Sequence, residues 1–445
     1  MTQDIKVTFL GTSSGGGPTR TRNCSSLIVD MLGDGTLWMV DCAEGTTRQF
    51  EMQPPQPPAP HRVRRGKVNT IFVTHMHADH IMGLIGFLKA QLGIPRAGIR
   101  PVVKLELYGP AGLRAFIRTI LNMTDSKCQD KYVVHELLRH GEQPSAPCTS
   151  HEMRENEAKG RDIVCGEDGY WRECLRVWSN RARRDIVVDV GQVVHRVTCL
   201  GYVIRESPMS WDVKGNDEAA KTARLRRLRK LVLLGDTNDP DEILPLVTSS
   251  PGHVALAVHE STDCYIPTQV DPQQKTGKNR SVDSVRDVSL QRGHSTPYMA
   301  GKFAKEIGAR RLVLNHLGAR FPAPGRSGNG DNNLRLDATD LRQASGVVTE
   351  GDGYSAPRRG ENREDRFRGN VMAWIEQQAT EAWDPEEEGA RAWAAFDFLT
   401  VCIKPIPVPG PSYPETGEVE SQTQWTQPSS SANAGQGSGD GTKYR

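Results

Sequence analysis

Residues 74–80 read Thr-His-Met-His-Ala-Asp-His, so that His75, His77, His80 and Asp79 fall within six positions. Neutral imidazole nitrogens and carboxylate oxygens are the donor set that zinc and similar divalent ions take. His75 and His77 alternate on an extended segment and therefore point the same way. A helix starting just after them re-aims Asp79 and His80, so one loop can serve two neighbouring metals. The plainer alternative is a solvated histidine-rich turn with Asp79 as a helix cap.

The flanking elements fit that placement. Thr70-Ile-Phe-Val-Thr74 is of strand-forming type, and Ile81, Leu84, Ile85 and Leu88 repeat at helical spacing. The same theme recurs along the chain. Apolar strand-like runs end in Asp41 and Glu44, in Gly235-Asp236, in His259-Glu260 and in His316. In a layered α/β protein, sites collect where strands end and loops meet above the sheet. Seven residues can be grouped as two metal shells: His75, His77 and His195; Asp79, His80 and His316; and Asp236 bridging both. Spacing alone leaves that grouping open. Two divalent ions about 3.5–4 Å apart would stabilise both attacking and leaving oxygens of an in-line displacement and bring a bridging water toward neutral pKa.

Other stretches take their places around this theme. Residues 6–10, 26–30 and 37–41 read as strands, and the loop between the first two carries Arg20, Arg22, Asn23, Ser25 and several glycines. That loop suits a phosphate or a polynucleotide end, or is an ordinary surface turn. Residues 53–60 are a proline-rich excursion. Residues 105–109 read as a strand, and Pro110 to about Leu121 as an amphipathic helix with proline in its first turn. Residues 125–185 are polar without clean periodicity and read as a peripheral insertion. Strand patterns return at 193–197 and 199–204. Residues 221–230 hold six positive charges, a solvated helical face or a phosphate-binding patch. Residues 267–293 read as a loop, 297–307 as a helix, 322–369 as partly disordered, 370–380 as a helix and 396–401 as a strand. The expected organisation is one catalytic domain over 1–404, with insertions at about 51–67, 125–186, 267–293 and 322–386, followed by a low-complexity tail at 405–445.

Composition narrows the class. A net charge of +2 leaves nucleic-acid binding to local patches rather than bulk charge. Nine cysteines without a C-x-x-C pair argue against a disulfide framework or a structural zinc knuckle. No window reaches 18 apolar residues, so no membrane span is expected. The first strand begins too early for a signal peptide, which fits an intracellular protein of nucleus or cytosol.

The H-x-H-x-D-H run, with later His195, Gly235-Asp236-Thr237 and His316, resembles the metallo-β-lactamase superfamily. Within it the chain is similar to tRNase Z, the tRNA 3′-end endonuclease, in its short form. The likeness is carried by Pro18-Thr-Arg-Thr-Arg-Asn-Cys-Ser-Ser26, Asp41-Cys-Ala-Glu-Gly-Thr46, Tyr108-Gly-Pro-Ala-Gly-Leu113, His259-Glu-Ser-Thr262, His294-Ser-Thr296, His316-Leu-Gly-Ala-Arg-Phe321 and Phe396-Asp-Phe-Leu399, in the family's order. It implies an αββα sandwich of two mixed sheets flanked by helices, two zinc ions held by the seven ligands above, and a homodimer. It further implies that Asp79 helps activate the attacking water and that His294, oriented by Glu260, protonates the leaving 3′ oxygen. Arg320 and the 18–26 loop would hold phosphate and the RNA end. The reaction implied is removal of the 3′ trailer of precursor tRNA, leaving a 3′-hydroxyl on the tRNA and a 5′-phosphate on the trailer.

One departure stands out. Bacterial members carry a long arm with a Gly-Pro-rich tip between the strands that hold, in this chain, Gly201-Tyr202 and Gly235-Asp236-Thr237; here the interval 205–230 is short and lacks it. The six charges at 221–230 or the 125–185 insertion could substitute. A small-molecule or cyclic-nucleotide phosphodiesterase on the same fold is the competing enzyme reading, and a non-catalytic RNA-binding member is the third.

Overall fold

The computed structural model describes residues 4–54, 62–149, 152–324 and 363–406. The described residues up to Pro405 form one compact unit. Sixteen strands are present among them, in chain order β1 Ile5–Gly11, β2 Ser26–Asp30, β3 Leu37–Val40, β4 Val68–Phe72, β5 Val103–Pro110, β6 Lys131–Leu138, β7 Glu157–Ala158 and β8 Asp162–Val164. They continue as β9 Trp171–Ser179, β10 Arg184–Val193, β11 Cys199–Glu206, β12 Arg229–Leu234, β13 His253–Glu260, β14 Leu312–Asn315, β15 Trp393–Ala394 and β16 Thr400–Ile403.

Two mixed sheets result. The first runs β16-β1-β2-β3-β4-β5-β6-β7, with β8 also pairing β6; the second runs β15-β14-β13-β12-β11-β10-β9. In each, an antiparallel meander gives way to parallel strands, from β3 onward in the first and from β12 onward in the second. The parallel strands are buried on both faces and read as near-continuous apolar runs, as parallel pairing under helices requires. One apolar cluster fills the space between the sheets, joining Val7, Phe9, Trp38 and Phe72 to Val188, Tyr202, Leu233 and Val258. Two others bind helices to the outer faces: the helices Leu84–Leu92 and Leu113–Met123 on the first sheet, and Leu244–Ser249, Pro297–Glu306 and Arg363–Trp383 on the second. The architecture is the expected αββα sandwich.

Several stretches differ from the pattern reading. Within 125–186, β6 lies inside the first sheet and Trp171 and Cys174 of β9 enter the core between the sheets. Pattern reading misses β6 because His135-Glu136 interrupts its apolar run. Glu136 is fully enclosed, accepting from the Gly112 and Arg114 amides at 3.0 Å each. Pro110 ends β5 rather than opening the following helix, which starts at Leu113. Within 267–293, Val282–Gln291 is a helix whose N-terminus Ser281 caps, its hydroxyl accepting from the Ser284 amide at 3.2 Å. Only Val285 and Ser289 of that helix are buried, so it offers no apolar stripe to read. The proline-rich residues 55–60, most of 322–369 and the tail from 407 lie outside the described residues.

Candidate active site

The site lies where the C-terminal ends of β3, β4, β10, β12, β13 and β14 come to one edge of the two sheets. β4 ends at Phe72 and delivers His75; β12 ends at Leu234 and delivers Asp236; β14 ends at Asn315 and delivers His316. The sheets are tied together just beneath: the Leu200 amide donates to the Thr74 carbonyl at 3.0 Å, and the Tyr202 hydroxyl to the Val73 carbonyl at 2.6 Å. Gly235 is needed here, because a Cβ at that position would sit 2.5 Å from the Cys199 sulfur and 2.7 Å from Thr74 Cβ.

All seven expected ligands converge. His75, His77, His195 and Asp236 present ligand atoms within 4.8 Å of one another, as do Asp79, His80 and His316. His75 Nε2 lies 3.0 Å and His195 Nε2 3.2 Å from His77 Nδ1. His80 Nε2 lies 3.2 Å from His316 Nε2 and 3.4 Å from Asp236 Oδ1, across 236 residues of chain. Asp79 Oδ2 is 3.2 Å from His316 Nε2. His195 stands after the end of β10 rather than within a strand.

The outward-facing nitrogens explain why the inward ones carry lone pairs. His80 Nδ1–H donates to Asp41 Oδ2 at 2.7 Å, and His195 Nδ1–H to the Gly293 carbonyl at 2.6 Å. The Thr74 hydroxyl donates to Asp41 Oδ2 at 2.8 Å and so accepts from His75 Nδ1–H at 3.0 Å. Likewise the Thr262 hydroxyl donates to the His316 carbonyl at 3.1 Å and accepts from His316 Nδ1–H at 2.9 Å. In its neutral form each of these four rings then aims the Nε2 lone pair inward. Lone pairs facing each other at about 3 Å repel unless a cation or a proton sits among them, so the donor set fits divalent metal.

Charge follows geometry. Burial and the neighbouring His80 charge hold His75 well below the usual histidine range. At His80 burial works the same way, but Asp236 and Asp41 outweigh it and lift the ring well above that range. A cation held among these atoms would compete with a proton on His80, which would link metal uptake to proton release. Asp236 is held well below the ordinary carboxylate value: burial opposes its charge, and His316, His80 and His75 overcome that.

His294 stands beside the cluster, its Nδ1 2.9 Å from Glu260 Oε1, with its ring centre 5.1 Å from that of His195. Burial disfavours its charged form, yet the Glu260 hydrogen bond and the charges of Glu260 and Asp236 hold its pKa above the ordinary value. Glu260 also accepts from the Thr237 amide at 2.8 Å. An imidazole whose charged form is favoured thus stands next to the candidate metal site.

The residues expected to face substrate divide. Arg20 and Arg320 are exposed. Arg22 is 2% exposed and is committed inward, donating to the Phe321 carbonyl at 2.9 Å, the Ala395 carbonyl at 2.5 Å and the Thr12 hydroxyl at 2.9 Å. Asn23 is buried, its side chain donating to the Glu44 carbonyl at 3.0 Å, and Ser25 is buried too. Arg22, Asn23 and Ser25 therefore build the loop, and Arg20 is what it offers outward. Asp41 was legible as a strand-end carboxylate; its work orienting His80 and Thr74 was not. The orienting roles of Thr74, Thr262 and Gly293 had no signal in the sequence.

The two mixed sheets flanked by helices are the metallo-β-lactamase fold, and residues 19–100 match the family described as Metallo-beta-lactamase superfamily. The chain carries a metallo-β-lactamase domain. It is homologous to proteins named zinc phosphodiesterase and ribonuclease Z. Zinc phosphodiesterase ELAC protein 1 of Bos taurus is 28% identical over 367 residues, which cover 77% of this chain and 94% of the relative. Ribonuclease Z of Streptococcus sanguinis is 26% identical over 347 residues, 78% of this chain and 98% of the relative. The crystal structure of human tRNase Z, short form, matches 71% of this chain and 93% of its own, at 28% identity and a TM-score of 0.48. No helix among the described residues is long and apolar enough to cross a membrane.

Proposed function

We propose that this chain is a two-zinc endoribonuclease that removes the 3′ trailer from precursor tRNA, leaving a 3′-hydroxyl on the tRNA and a 5′-phosphate on the trailer. The observation that carries the reading is the meeting of seven histidine and aspartate ligand atoms with a Glu260-held His294 beside them, in a homologue of ribonuclease Z. His75, His77, His195 and Asp236 would hold one zinc, and Asp79, His80, His316 and the shared Asp236 the other. When bound, the ions supply an activated water and positive charge for the developing phosphate oxyanion.

The chain's own groups do the rest. Asp79, anchored by the Gly15 amide at 2.6 Å, orients the attacking water. His294 donates its proton to the departing 3′ oxygen, and Glu260 keeps the ring charged and aimed. Arg20 and Arg320 hold flanking phosphates from the exposed rim. The active species is a homodimer, which light scattering tests.

The deciding experiment incubates the zinc-loaded protein with a trailer-bearing tRNA and maps both product ends. His77→Ala and Asp236→Ala are expected to abolish cleavage while tRNA binding persists; equal loss of binding in both counts against these roles. The competing reading, a cyclic-nucleotide phosphodiesterase, draws on the short interval between β11 and β12, where Arg224 is spent on the Asp212 and Lys214 carbonyls at 2.9 and 2.8 Å. Faster turnover of a cyclic nucleotide than of precursor tRNA would establish it.

A further inference from the structure

Beside His294 a cleft of about 320 Å³ is lined by Ser14, Thr262, Asp263, Arg292 and Arg320, together with the buried Ser289. Its charge is lopsided. Asp263 is neutralised by Arg280 at 2.5 Å. Arg320 spends one nitrogen on the Thr276 carbonyl at 3.2 Å. Arg292 follows the helix Val282–Gln291, is exposed, and its guanidinium meets no acceptor among the described residues. Two guanidinium groups thus face a cleft whose one carboxylate is already paired, which is a setting for a phosphate group. The Ser14 hydroxyl, partly exposed on the same wall, adds a polar contact.

The place of the cleft says which phosphate. It shares Thr262 and Arg320 with the site and has His294 in its wall, so it opens on the side where the departing oxygen takes its proton. The nucleotide carrying that oxygen enters here, and the next charged group along it is its own 5′-side phosphate. We propose that Arg292 is a specificity-determining residue which, with Arg320, grips the phosphate on the 5′ side of the nucleotide whose 3′ oxygen is released. This rests on the endoribonuclease reading above.

The test pairs a protein change with a substrate change. Precursor tRNA is made with its natural phosphate, or with a neutral methylphosphonate, at that one linkage. Wild-type enzyme is expected to lose about tenfold in kcat/KM on the methylphosphonate, mostly through KM. Arg292→Ala is expected to lose a similar factor on natural RNA and almost nothing further on the methylphosphonate, with Arg292→Lys in between. Independent, multiplying losses would overturn the assignment, as would a wild-type enzyme indifferent to the methylphosphonate. No cleavage of natural RNA by wild-type enzyme would instead overturn the endoribonuclease reading itself. Arg292 is exposed, so its substitution is not expected to disturb folding.

Discussion

Asp41 and His316 both adopt left-handed backbone, with φ of 57° and 54°, where a non-glycine residue is held only by strongly determining surroundings. Each sits at the first position past a strand of the sandwich, and each turn brings a polar group into the site. Asp41 accepts from the Thr74 amide at 2.8 Å and from the Thr74 hydroxyl and His80, so it sets the tautomer of two rings without facing the cluster. In Asp41→Asn the amide cannot accept from both partners. Zinc affinity or turnover is expected to fall about 10–100-fold, measured by competition with a chromophoric chelator and by initial rates; unchanged affinity and turnover would remove Asp41 from the machinery. His294→Ala is expected to lower kcat by about 10²–10⁴ with zinc content intact. The pH profile carries a sign. His294 is held above its ordinary pKa, so its acid form, and with it activity, extends to higher pH than a free imidazole allows and is lost as pH rises through the raised value. Loss of that alkaline limb to a lower pH is expected in Glu260→Gln.

At the scale of elements, the 18–26 loop shows how little charge alone says. Arg20 and Arg22 are two residues apart and face opposite worlds. Burial pushes the Arg22 guanidinium down to about 10, against the pull of Asp397, and its donors join the loop to the Phe321 and Ala395 backbone. Arg22→Met is expected to cost on the order of 3 kcal/mol by leaving buried acceptors unpaired, read as a shift in denaturant midpoint. Arg20→Ala is expected to leave that midpoint in place and raise KM for RNA. The basic run at 221–230 divides in the same way. Arg229 is enclosed and pairs with Glu206 at 2.8 Å, and Lys230 donates to the Val247 and Ser250 carbonyls at 2.5 and 2.7 Å, so two of its six charges hold β12 in place. Arg226 is exposed and Arg227 partly so, and a phosphate-binding role is left to them. Their joint replacement by glutamine is expected to raise KM for tRNA several-fold; no change makes the run a solvated face.

At the scale of the molecule, the sandwich holds its candidate metal edge by stacking two sheets and closing each with helices. The Arg363–Trp383 helix closes the second, and it carries a half-buried carboxylate, Glu376. Burial pushes Glu376 up to about 7, against the charge of Arg391 and the Ala394 amide that donates to it at 3.0 Å. Its ordinary value is 4.5. Between the two, the folded state holds a proton that the unfolded chain has released, so stability falls as pH rises from about 4.5 to 7 and stays lower above that. Glu376→Gln is expected to flatten the slope and to melt above wild type at pH 8, by on the order of 3 kcal/mol at most. A variant less stable than wild type at pH 8 would show that the carboxylate is ionised in the fold.

The candidate ligands were legible in the sequence because metal chemistry admits few residue types and because apolar runs announce strand ends. The class of fold followed from the resemblance those motifs carry. Tertiary structure alone decided which arginines face solvent, that β6 belongs to the sheet despite His135-Glu136, and that Asp41, Thr74, Thr262 and Gly293 lock the imidazoles. The physical reason is one of range. A strand's periodicity and a ligand's chemistry are local properties of a few neighbouring residues. Whether a charge is buried, and what satisfies it there, depends on partners such as Arg22 and Ala395, 373 positions apart, which no local pattern encodes.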